Sequence, residues 1–437
     1  MSAAYAALRF VRARARGKPG KKEPDMEYND LMDLVADIGC RMAMSGAETY
    51  RIEESINRIL SAYGVRSKAY SVPNSLIISI LADDDTPYTR LCRIDSHGTD
   101  LDAVERYSNL SRRICAETPA PQQARIWLQQ TQASGKQYSF PLYLLGNVLA
   151  ACGFAVFFGG SLRDSLCAGI CGLLLGFVMH ALEHVKTNTF FQKLVAAFAM
   201  ALAAYAAAGL GLTDNVNTCV IGALMLLVPG LLFTNALRDI IFGDTNSGIN
   251  RIVEVLLIAA AIALGTGAAW NVANALWGVD GSASAQPISA VLQCIAGVMA
   301  CAGFIILFNI HGPGELLCLL GSGMTWAVYC IVQASGGSEL LCCFIATLVA
   351  AVYSEVMARV RKYPAISYLV ISILPLLPGA GIYYTAHYAF IGDMRAAADC
   401  GTHTLAISGA MAVGILVVVT TVRIVHGRLM QRRRKAA

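Results

Sequence analysis

The stretch LVPGLLFTNALRDIIFGD, residues 227–244, decides the fold, because it recurs later as LLPGAGIYYTAHYAFIGD, residues 376–393. The Pro-Gly pairs and the Gly-Asp pairs of the two copies are all separated by 149 residues (378 − 229 = 393 − 244 = 149). Gly265 and Gly414 continue the same offset without a gap. This internal repeat predicts that the chain contains two similar units, each built around one copy.

Apolar runs surround both copies, and each run of about 20 residues is long enough to cross a hydrocarbon core of ~30 Å. The predicted spans lie near 141–158, 165–182, 191–210, 216–236, 249–269, 288–308, 315–334, 340–357, 365–385 and 404–423. The first five fall in a unit at 139–270 and the last five in a unit at 287–424. Because an odd number of spans reverses the chain, the second unit is predicted to be inverted across the membrane.

The composition favours a membrane protein, since 56% of the residues are hydrophobic and only 14% are charged. A net charge of +5 could suggest nucleic-acid binding, but the basic residues gather in the N-terminal region, in short loops and at the C-terminal end. We interpret them as topology signals and expect no nucleic-acid partner. The 14 cysteines include no CxxC pair and mostly lie in apolar runs, so we expect no disulfide framework.

The N-terminal region lacks the apolar core of a secretory signal, so we expect it to stay in the cytoplasm. Residues 1–24 are predicted to form a basic disordered tail, with an organellar transit sequence as the alternative. Residues 25–138 are predicted to form a small α+β cytoplasmic domain. Residues 425–437 are predicted to form a basic cytoplasmic tail.

The predicted cytoplasmic domain opens with two amphipathic helices that break near Ser45, because apolar residues recur there at helical spacing. Residues 67–85 and 89–97 alternate and are rich in β-branched side chains, which predicts a strand pair, and residues 101–117 return to helix. Residues 118–136 are predicted to be a polar linker. The fold class is thus an all-α polytopic membrane protein of about ten transmembrane helices, arranged as two inverted five-helix repeats, with an N-terminal α+β domain.

The charges of the predicted loops indicate the orientation of the chain. The predicted inner loops carry Lys186, Lys193, Arg238, Arg251, Arg359, Arg361 and Lys362. The predicted outer loops carry only Arg163 and Arg395. Since cytoplasmic loops are enriched in lysine and arginine, we expect a multi-pass protein of the plasma membrane with both termini in the cytoplasm.

Pro229-Gly230 and Pro378-Gly379 fall inside the fourth and ninth predicted spans. Proline removes a helical hydrogen bond and glycine relaxes the backbone, so both pairs are expected to free carbonyl and amide groups. Breaks at matching positions of two inverted repeats are typical of a transporter's substrate site, because the halves can exchange conformations and alternate the access. A packing kink without a binding role is the alternative.

Ionisable side chains within spans cost ~2.5–3.5 kcal/mol at the bilayer centre, so they are candidates for function. An arginine would take a substrate carboxylate, and a carboxylate would take an ammonium group or a proton. We assign substrate binding to Pro229, Gly230, Asn235, Arg238, Asp239, Arg251, Pro378 and Gly379. We assign proton coupling to Asp244, Glu254, Asp393 and His403.

Some of these residues have local alternatives. Glu254 and His403 occupy equivalent repeat positions, which favours a proton relay. However, Glu254 could pair with Arg251, which lies three residues earlier on the same predicted helix. Residues 238–244 could equally form a solvated inner loop.

Other patterns carry less functional weight. Glu355 and Arg359 stand at helical spacing, which favours an interfacial ion pair. His180, Glu183 and His184 match the HxxEH zinc signature, but no third ligand is evident, so we expect no metal, no cofactor and no enzymatic activity. The sequence contains no Walker motif, which argues against ATP-driven transport.

A polar motif, SGAETYR at residues 45–51, marks the break between the first two predicted helices. Glycine with serine and threonine can cap a helix and leave its amide groups open to an anion. A capped turn without a ligand is the alternative. The candidate residues of this motif are Gly46, Glu48, Thr49 and Arg51.

Three separated segments together resemble the threonine/serine exporter family. They are SGAETYRIEESI at 45–56, VPGLLFTNALRDIIFGDTNSGINRIVEVLL at 228–257 and LLPGAGIY at 376–383. The resemblance covers residues from about 29 to 423 and is similar in order to the fused form of the family, with a soluble domain and two five-span units. It matches the family at the cytoplasmic motif, at both Pro-Gly pairs and at Asn235, Arg238, Asp239, Gly243, Asp244, Arg251 and Glu254.

The resemblance implies secondary export of threonine and serine driven by the proton gradient, with dicarboxylates such as succinate as the substrate of some relatives. The expected partners are the lipid bilayer, one of these small molecules and protons, and a homo-oligomer is compatible with the sequence. Two alternatives stay open at this point. One is a dicarboxylate exporter, and the other is a membrane-anchored hydrolase that uses the soluble domain or the HxxEH helix.

Overall fold

The computed structural model describes residues 28–81, 86–94, 98–185, 187–278, 287–361 and 363–436, with side chains up to residue 425. The predicted tail at 1–24 and the loop lysines Lys186 and Lys362 lie outside the described residues, as do the side chains of the C-terminal tail after residue 425.

In the residues that the structure describes, the N-terminal domain, which is predicted to be soluble and is called the soluble domain below, contains four helices and a three-stranded antiparallel sheet of order β1-β2-β3. On β2, every second side chain is buried, namely Leu76, Ile78 and Ile80, and this period of two places one face of the sheet on the helices. The elements are α1 (Tyr28–Met44), α2 (Thr49–Ala62), β1 (Arg66–Val72), β2 (Ser75–Leu81), β3 (Pro87–Arg93), α3 (Leu101–Glu117) and α4 (Pro121–Ala133).

The predicted break between α1 and α2 is confirmed, as is the helix at residues 101–117. The stretch at 67–85 holds two strands instead of one, because the chain reverses at Pro73 and Asn74. Together with β3 it forms a meander of three strands in place of the predicted pair.

The prediction of a linker at 118–136 is wrong, since most of it forms helix α4. Pro121 stands in the first turn of α4, where its missing amide proton costs nothing. Ala124, Trp127 and Leu128 are buried on one face, and the guanidinium of Arg113 lies 3.7 Å from the centre of the Trp127 ring. Three apolar residues at helical spacing among glutamines are only a weak sequence signal for a helix. The helix is stabilised mainly by tertiary packing of its apolar face.

Within the described ranges, the membrane part contains two sets of six α-helices. The first set is α5 (Phe140–Phe157), α6 (Leu162–His184), α7 (Thr189–Gly209), α8 (Val216–Leu224), α9 (Gly230–Ile241) and α10 (Thr245–Trp277). The second set is α11 (Ala290–Leu307), α12 (Gly314–Ala334), α13 (Glu339–Arg361), α14 (Ala365–Ile373), α15 (Gly379–Phe390) and α16 (Met394–Ala436). The starts of α8, α9 and α10 recur 149 residues later as the starts of α14, α15 and α16.

Among the described residues, eight helices are long and apolar enough to cross a membrane, and a bent pair, Ala365–Leu376 with Gly379–Phe390, makes nine. The fourth predicted span, 216–236, consists of the short helix α8, a break and the start of α9. The chain is therefore a polytopic, mostly helical membrane protein, and the count of ten stays a prediction.

The outer surface of the membrane helices is apolar. On α6, the side chains of Leu162, Leu166, Ile170, Leu173 and Phe177 follow each other at steps of three or four residues, and all five are exposed. Exposure of such an apolar stripe to water would be unfavourable in free energy, whereas contact with lipid chains would not be. The exposed stripe thus agrees with a membrane environment.

Helices α5 and α11 cross at the centre of the molecule through small residues. A Cβ atom added to Gly153 would lie 2.5 Å from the backbone nitrogen of Ala300. Reciprocally, a Cβ atom added to Gly303 would lie 2.6 Å from the backbone nitrogen of Ala150. Gly303 lies 150 residues after Gly153, and Ala300 lies 150 residues after Ala150. The contact of Gly153 with Ala300 is therefore equivalent to the contact of Gly303 with Ala150, as contacts related by a two-fold axis are.

Candidate functional site

The two Pro-Gly breaks meet in the interior of the molecule. Pro229 and Pro378 each precede the first residue of a helix, α9 and α15, and the second broken helix bends by 53°. A Cβ atom added to Gly230 would lie 3.3 Å from the Leu377 Cβ, and one added to Gly379 would lie 3.4 Å from Val228 Cγ1. These contacts are reciprocal in the repeat, so the sequence-equivalent breaks face each other.

A cavity of about 540 Å³ opens beside the breaks, which is a volume suited to a small metabolite. Its walls come from both membrane units and from the soluble domain. They include Gly46, Ala47, Glu48, Thr99, Phe157, Lys193, Pro229, Gly230, Asn235, Arg238, Arg251, Glu254, Trp326, Glu339, Pro378, Gly379 and His403.

Both units line the cavity with ionisable side chains. Lys193 on α7 and Arg251 and Glu254 on α10 come from the first unit, and Glu339 on α13 and His403 on α16 come from the second. His403 Nε2 lies 3.2 Å from Glu339 Oε2. In helix order α7 corresponds to α13 and α10 to α16, so equivalent helices carry exchanged residue types, Lys193 against Glu339 and Glu254 against His403.

Lys193 and Glu339 were missing from the predicted site. Lys193 stands near the start of α7 and Glu339 at the start of α13, so on sequence alone both resemble charges at a membrane surface. The signal that could have found them is the repeat, because α7 and α13 flank equivalent breaks. Which face of each helix points to the cavity is decided by the packing of the helices.

Arg238 makes the most buried ion pair of the site, and its partner is in the soluble domain. Arg238 Nη1 donates to Glu48 Oε1 at 2.6 Å, with 3% of Arg238 and 7% of Glu48 exposed. Asp239 lies between two arginines, with Arg251 Nη1 at 2.7 Å and Arg238 Nη2 at 3.5 Å. The alternative of a solvated loop is therefore wrong for Arg238 and Asp239. Arg251 pairs with Asp239, whereas the alternative from the sequence was a pair with Glu254.

Three consecutive residues of the SGAETYR motif, residues 45–51, each contact an arginine on a different membrane helix. Glu48 binds Arg238 of α9, as described above. Thr49 Oγ1 accepts a hydrogen bond of 3.4 Å from Arg251 of α10. The ring of Tyr50 lies 4.7 Å below the guanidinium of Arg423 of α16.

The electrostatics of the motif favour a charged Glu48. Burial by itself would raise the pKa of the Glu48 carboxyl, but the charges of Arg238 and Arg51, with a hydrogen bond to Tyr50, outweigh burial and hold that pKa below its usual value. Burial and the neighbouring carboxylate raise the pKa of Tyr50 to about 12, so its hydroxyl stays protonated at neutral pH.

The backbone of the motif explains why Glu48 can reach the membrane unit. Gly46 adopts a φ of 86°, and a Cβ there would lie 2.6 Å from the carbonyl oxygen of Gly98, so the turn requires glycine. The Ser45 hydroxyl donates to the Arg41 carbonyl at 2.8 Å and does not cap α2. Glu48 occupies the position before α2 without a capping bond, which leaves its carboxylate available to Arg238.

The remaining predicted residues are dispersed. Asn235 lines the cavity, whereas Asp244 and Asp393 are absent from its walls as far as the described residues define them. Asp393 Oδ1 instead accepts a hydrogen bond of 3.0 Å from the backbone nitrogen of Ala396 in the first turn of α16. Asp244 lies near Glu53 of the soluble domain, where burial raises the pKa of Glu53 and the charge of Asp244 adds to that effect.

The two histidines of the HxxEH pattern pack on each other at the end of α6. Their ring centres are 4.6 Å apart, and His184 Nδ1 lies 2.8 Å from the backbone oxygen of His180. In the part of the chain that the structure describes, no group of three or more His, Cys, Asp and Glu side chains is placed to hold a metal ion. The Glu355–Arg359 ion pair predicted on sequence is confirmed, at 2.7 Å.

Comparison with known proteins gives consistent matches. A family model of threonine/serine exporters matches residues 33–273, and a second, described as "Threonine/Serine exporter", matches residues 293–421. The threonine/serine exporter of Corynebacterium glutamicum is 25% identical over 374 residues, which are 83% of this chain and 76% of that protein. A Mycobacterium tuberculosis protein named "Probable threonine/serine exporter" is 22% identical over 381 residues, which are 84% and 71% of the two chains. No solved structure matches the chain.

Proposed function

The chain belongs to the threonine/serine exporter family, and from this premise we propose that it exports threonine and serine from the cytoplasm in exchange for protons. The observation that carries the proposal is the cavity between the two units. It lies where two broken helices face each other, and its walls carry both cationic and anionic side chains. A zwitterion needs both signs, and a neutral or singly charged metabolite does not.

We propose that the cavity recognises the amino acid by its ends. Lys193 and Arg238 are the cations available for the carboxylate, and Glu254 is a carboxylate available for the ammonium group. Asn235 can hydrogen-bond the hydroxyl that threonine and serine share. The Pro-Gly breaks beside these side chains add backbone carbonyl and amide groups, which a regular helix would use in its own hydrogen bonds.

The proposed transport cycle uses two inverted repeats. Gly146 approaches Gly303 while Gly153 approaches Ala296 and Ala300, so the contact order along α5 and α11 is antiparallel. Since α5 and α11 begin equivalent units, this order supports an inverted pair. Two inverted halves around one site can exchange conformations and open the cavity to either side in turn.

The contacts of the soluble domain support a common side for the loops that follow α9 and α11 and for the C-terminal part of α16. Asn246 Nδ2 donates to the Tyr70 hydroxyl at 3.2 Å, and the Leu101 backbone nitrogen donates to the Phe308 oxygen at 3.0 Å. Arg423, near the C-terminal end, lies on Tyr50. We propose that this side is the cytoplasm, which places both termini there and agrees with the basic inner loops.

We propose Glu254 and His403 as the proton carriers. Both line the cavity at equivalent positions of the repeat, and His403 contacts Glu339. A histidine and a carboxylate can both change charge in the physiological range when their surroundings change. Asp244 and Asp393, which do not belong to the described cavity wall, are weaker candidates for coupling.

Reconstitution into vesicles tests the proposal. With serine or threonine on the side that corresponds to the cytoplasm, an imposed pH gradient should drive amino-acid movement, and a protonophore should abolish that drive. Serine and threonine movement that ignores the gradient would overturn antiport. Movement of labelled succinate driven by the same gradient, with no movement of labelled serine, would instead support the dicarboxylate alternative.

A further inference from the structure

The cytoplasmic motif bridges the two membrane units. Through Glu48 and Thr49 it contacts α9 and α10 of the first unit, and through Tyr50 it contacts α16 of the second. Any motion of one unit against the other must therefore stretch or break at least one of these contacts. These three residues span the boundary between the two membrane units, so a relative motion of the units would change their contacts.

The same segment lines the cavity on the side of the soluble domain. Gly46, Ala47 and Glu48 form part of the wall, together with Gly98 and Thr99 of the segment before α3. Ala47 is 5% exposed, so the turn is packed against its surroundings. A substrate that entered from this side would pass along the turn.

The Glu48–Arg238 pair has alternative partners on both sides. Within the soluble domain, Arg51 Nε lies 3.6 Å from Glu48 Oε2. Within the membrane unit, Asp239 lies 3.5 Å from Arg238. If the domains separated, Glu48 would still have Arg51 as a partner and Arg238 would still have Asp239. Neither charge would be left unpaired, and an unpaired buried charge is the main penalty for breaking a buried ion pair.

Arg238 has hydrogen-bonding capacity beyond its bond to Glu48. Its buried Nη2 atom makes no hydrogen bond among the described residues, although Asp239 Oδ1 lies 3.5 Å from it. An arginine that lines a cavity and makes one short bond to a carboxylate can bind another carboxylate in its place.

We propose that residues Glu48 to Tyr50 form a releasable latch, in which the Glu48 carboxylate occupies Arg238 in place of the carboxylate of the transported amino acid. Arrival of the substrate carboxylate displaces Glu48, which transfers to Arg51, and the turn leaves the cavity mouth. The contact of Asp100 with Asn309, at 3.0 Å, joins the soluble domain to the loop after α11 without involving Arg238, so it can keep the soluble domain attached. The latch rests on the proposed transport of a carboxylate-bearing substrate.

Hydrogen–deuterium exchange on the wild-type full-length protein tests the latch without any substitution. Saturating serine should raise the exchange of the backbone amides of residues 45–51. Ethanolamine, which has the hydroxyl and ammonium groups of serine but no carboxylate, should leave that exchange unchanged. Unchanged or slower exchange with serine, or an equal rise with ethanolamine, would overturn the latch.

Transport kinetics in vesicles give a second test. Glu48→Gln keeps the shape of the side chain but weakens its hold on Arg238, so the half-saturating serine concentration should fall ~tenfold as the competitor is lost. Glu54→Gln is the matched control, because Glu54 lies on the helix that follows Glu48, is half-exposed, pairs with Arg58 of that helix and, like Glu48, adds negative charge near Arg51. An unaltered half-saturating concentration in Glu48→Gln would overturn the latch.

The two proposals fail separately. A wild-type protein that transports neither serine nor threonine would overturn both the transport proposal and the latch. Saturable serine transport, combined with exchange at residues 45–51 that ignores serine, would overturn the latch alone. If Glu48→Gln does not fold, the exchange measurement on the wild type still decides.

Discussion

The two Pro-Gly breaks have the same backbone and different chemistry. The first break is followed by Arg238, Asp239 and Arg251, and the positions 149 residues later are His387, Tyr388 and Cys400. Around the first break the side chains form a buried ion-pair network that joins the soluble domain. Around the second, aromatic rings stack, with Tyr383 and His387 centres 5.6 Å apart.

This difference shows what a duplicated membrane unit must keep and what it can change. Both copies keep the break, because it forms the cavity and the contact between Gly230 and Gly379. Charge appears in the copy that faces the soluble domain, where Glu48 supplies a partner. The comparison predicts that the two breaks differ in their sensitivity to loss of charge, and four experiments test it.

Removal of Arg238 should have the largest effect. Arg238→Ala leaves Glu48 and Asp239 buried with less compensation, and loss of one partner of a buried pair typically costs ~3–5 kcal/mol. The equivalent His387→Ala should cost clearly less, since it removes ring contacts and no ion pair. Thermal unfolding of both variants in detergent measures the difference, and equal losses would contradict the comparison.

Loss of the proposed proton carriers should affect coupling more than folding. Glu254→Gln should lower serine movement driven by a pH gradient about tenfold, while serine exchange without a gradient, in which Glu254 only binds the ammonium group, should fall less. His403→Gln at the equivalent position should show the same division with a smaller loss, because Glu339 stays beside it. Unchanged gradient-driven movement in both variants would leave the two residues as structural groups.

The contribution of Glu48 to stability should depend on pH in one direction. Its pKa in the folded protein lies below the usual 4.5, so the stabilisation is complete above pH 4.5 and is lost as the pH falls through the folded value. The gap in unfolding temperature between wild type and Glu48→Gln should therefore narrow only below pH 4.5. If the difference in unfolding temperature between the two proteins stays constant down to about pH 3, the charge of Glu48 does not contribute to that difference.

The smallest effect is expected for an ion pair outside this network. Glu355 and Arg359 pair at 2.7 Å on one helix of the second unit, with half of the arginine exposed. Glu355→Gln should change the stability by ~0.5 kcal/mol or less, as for other exposed pairs one helical turn apart. An unfolding shift as large as that of Arg238→Ala would mean that burial does not explain the difference between the two pairs.

Several parts of the fold and site were predictable because their signals are local. The helices around residue 45 and the helix at 101–117 follow from apolar spacing, and the matched breaks follow from the repeat. Helix α4 was missed because three apolar residues among glutamines do not define a helix without the surface that covers them. The orientation of the two units stays a prediction that the contacts of α5 and α11 support.

The membrane character, the duplication, the two breaks and most of the charged residues beside the first break can be read from the sequence alone. Which of these charges meet depends on the packing of the folded chain. Glu48 and Arg238 are separated by 190 residues, and no spacing rule connects them. Lys193 and Glu339 likewise join the cavity because helix packing turns their side of each helix inward. The physical reason is that periodicity defines a face of one helix, whereas a site needs the relative positions of several helices and a docked domain.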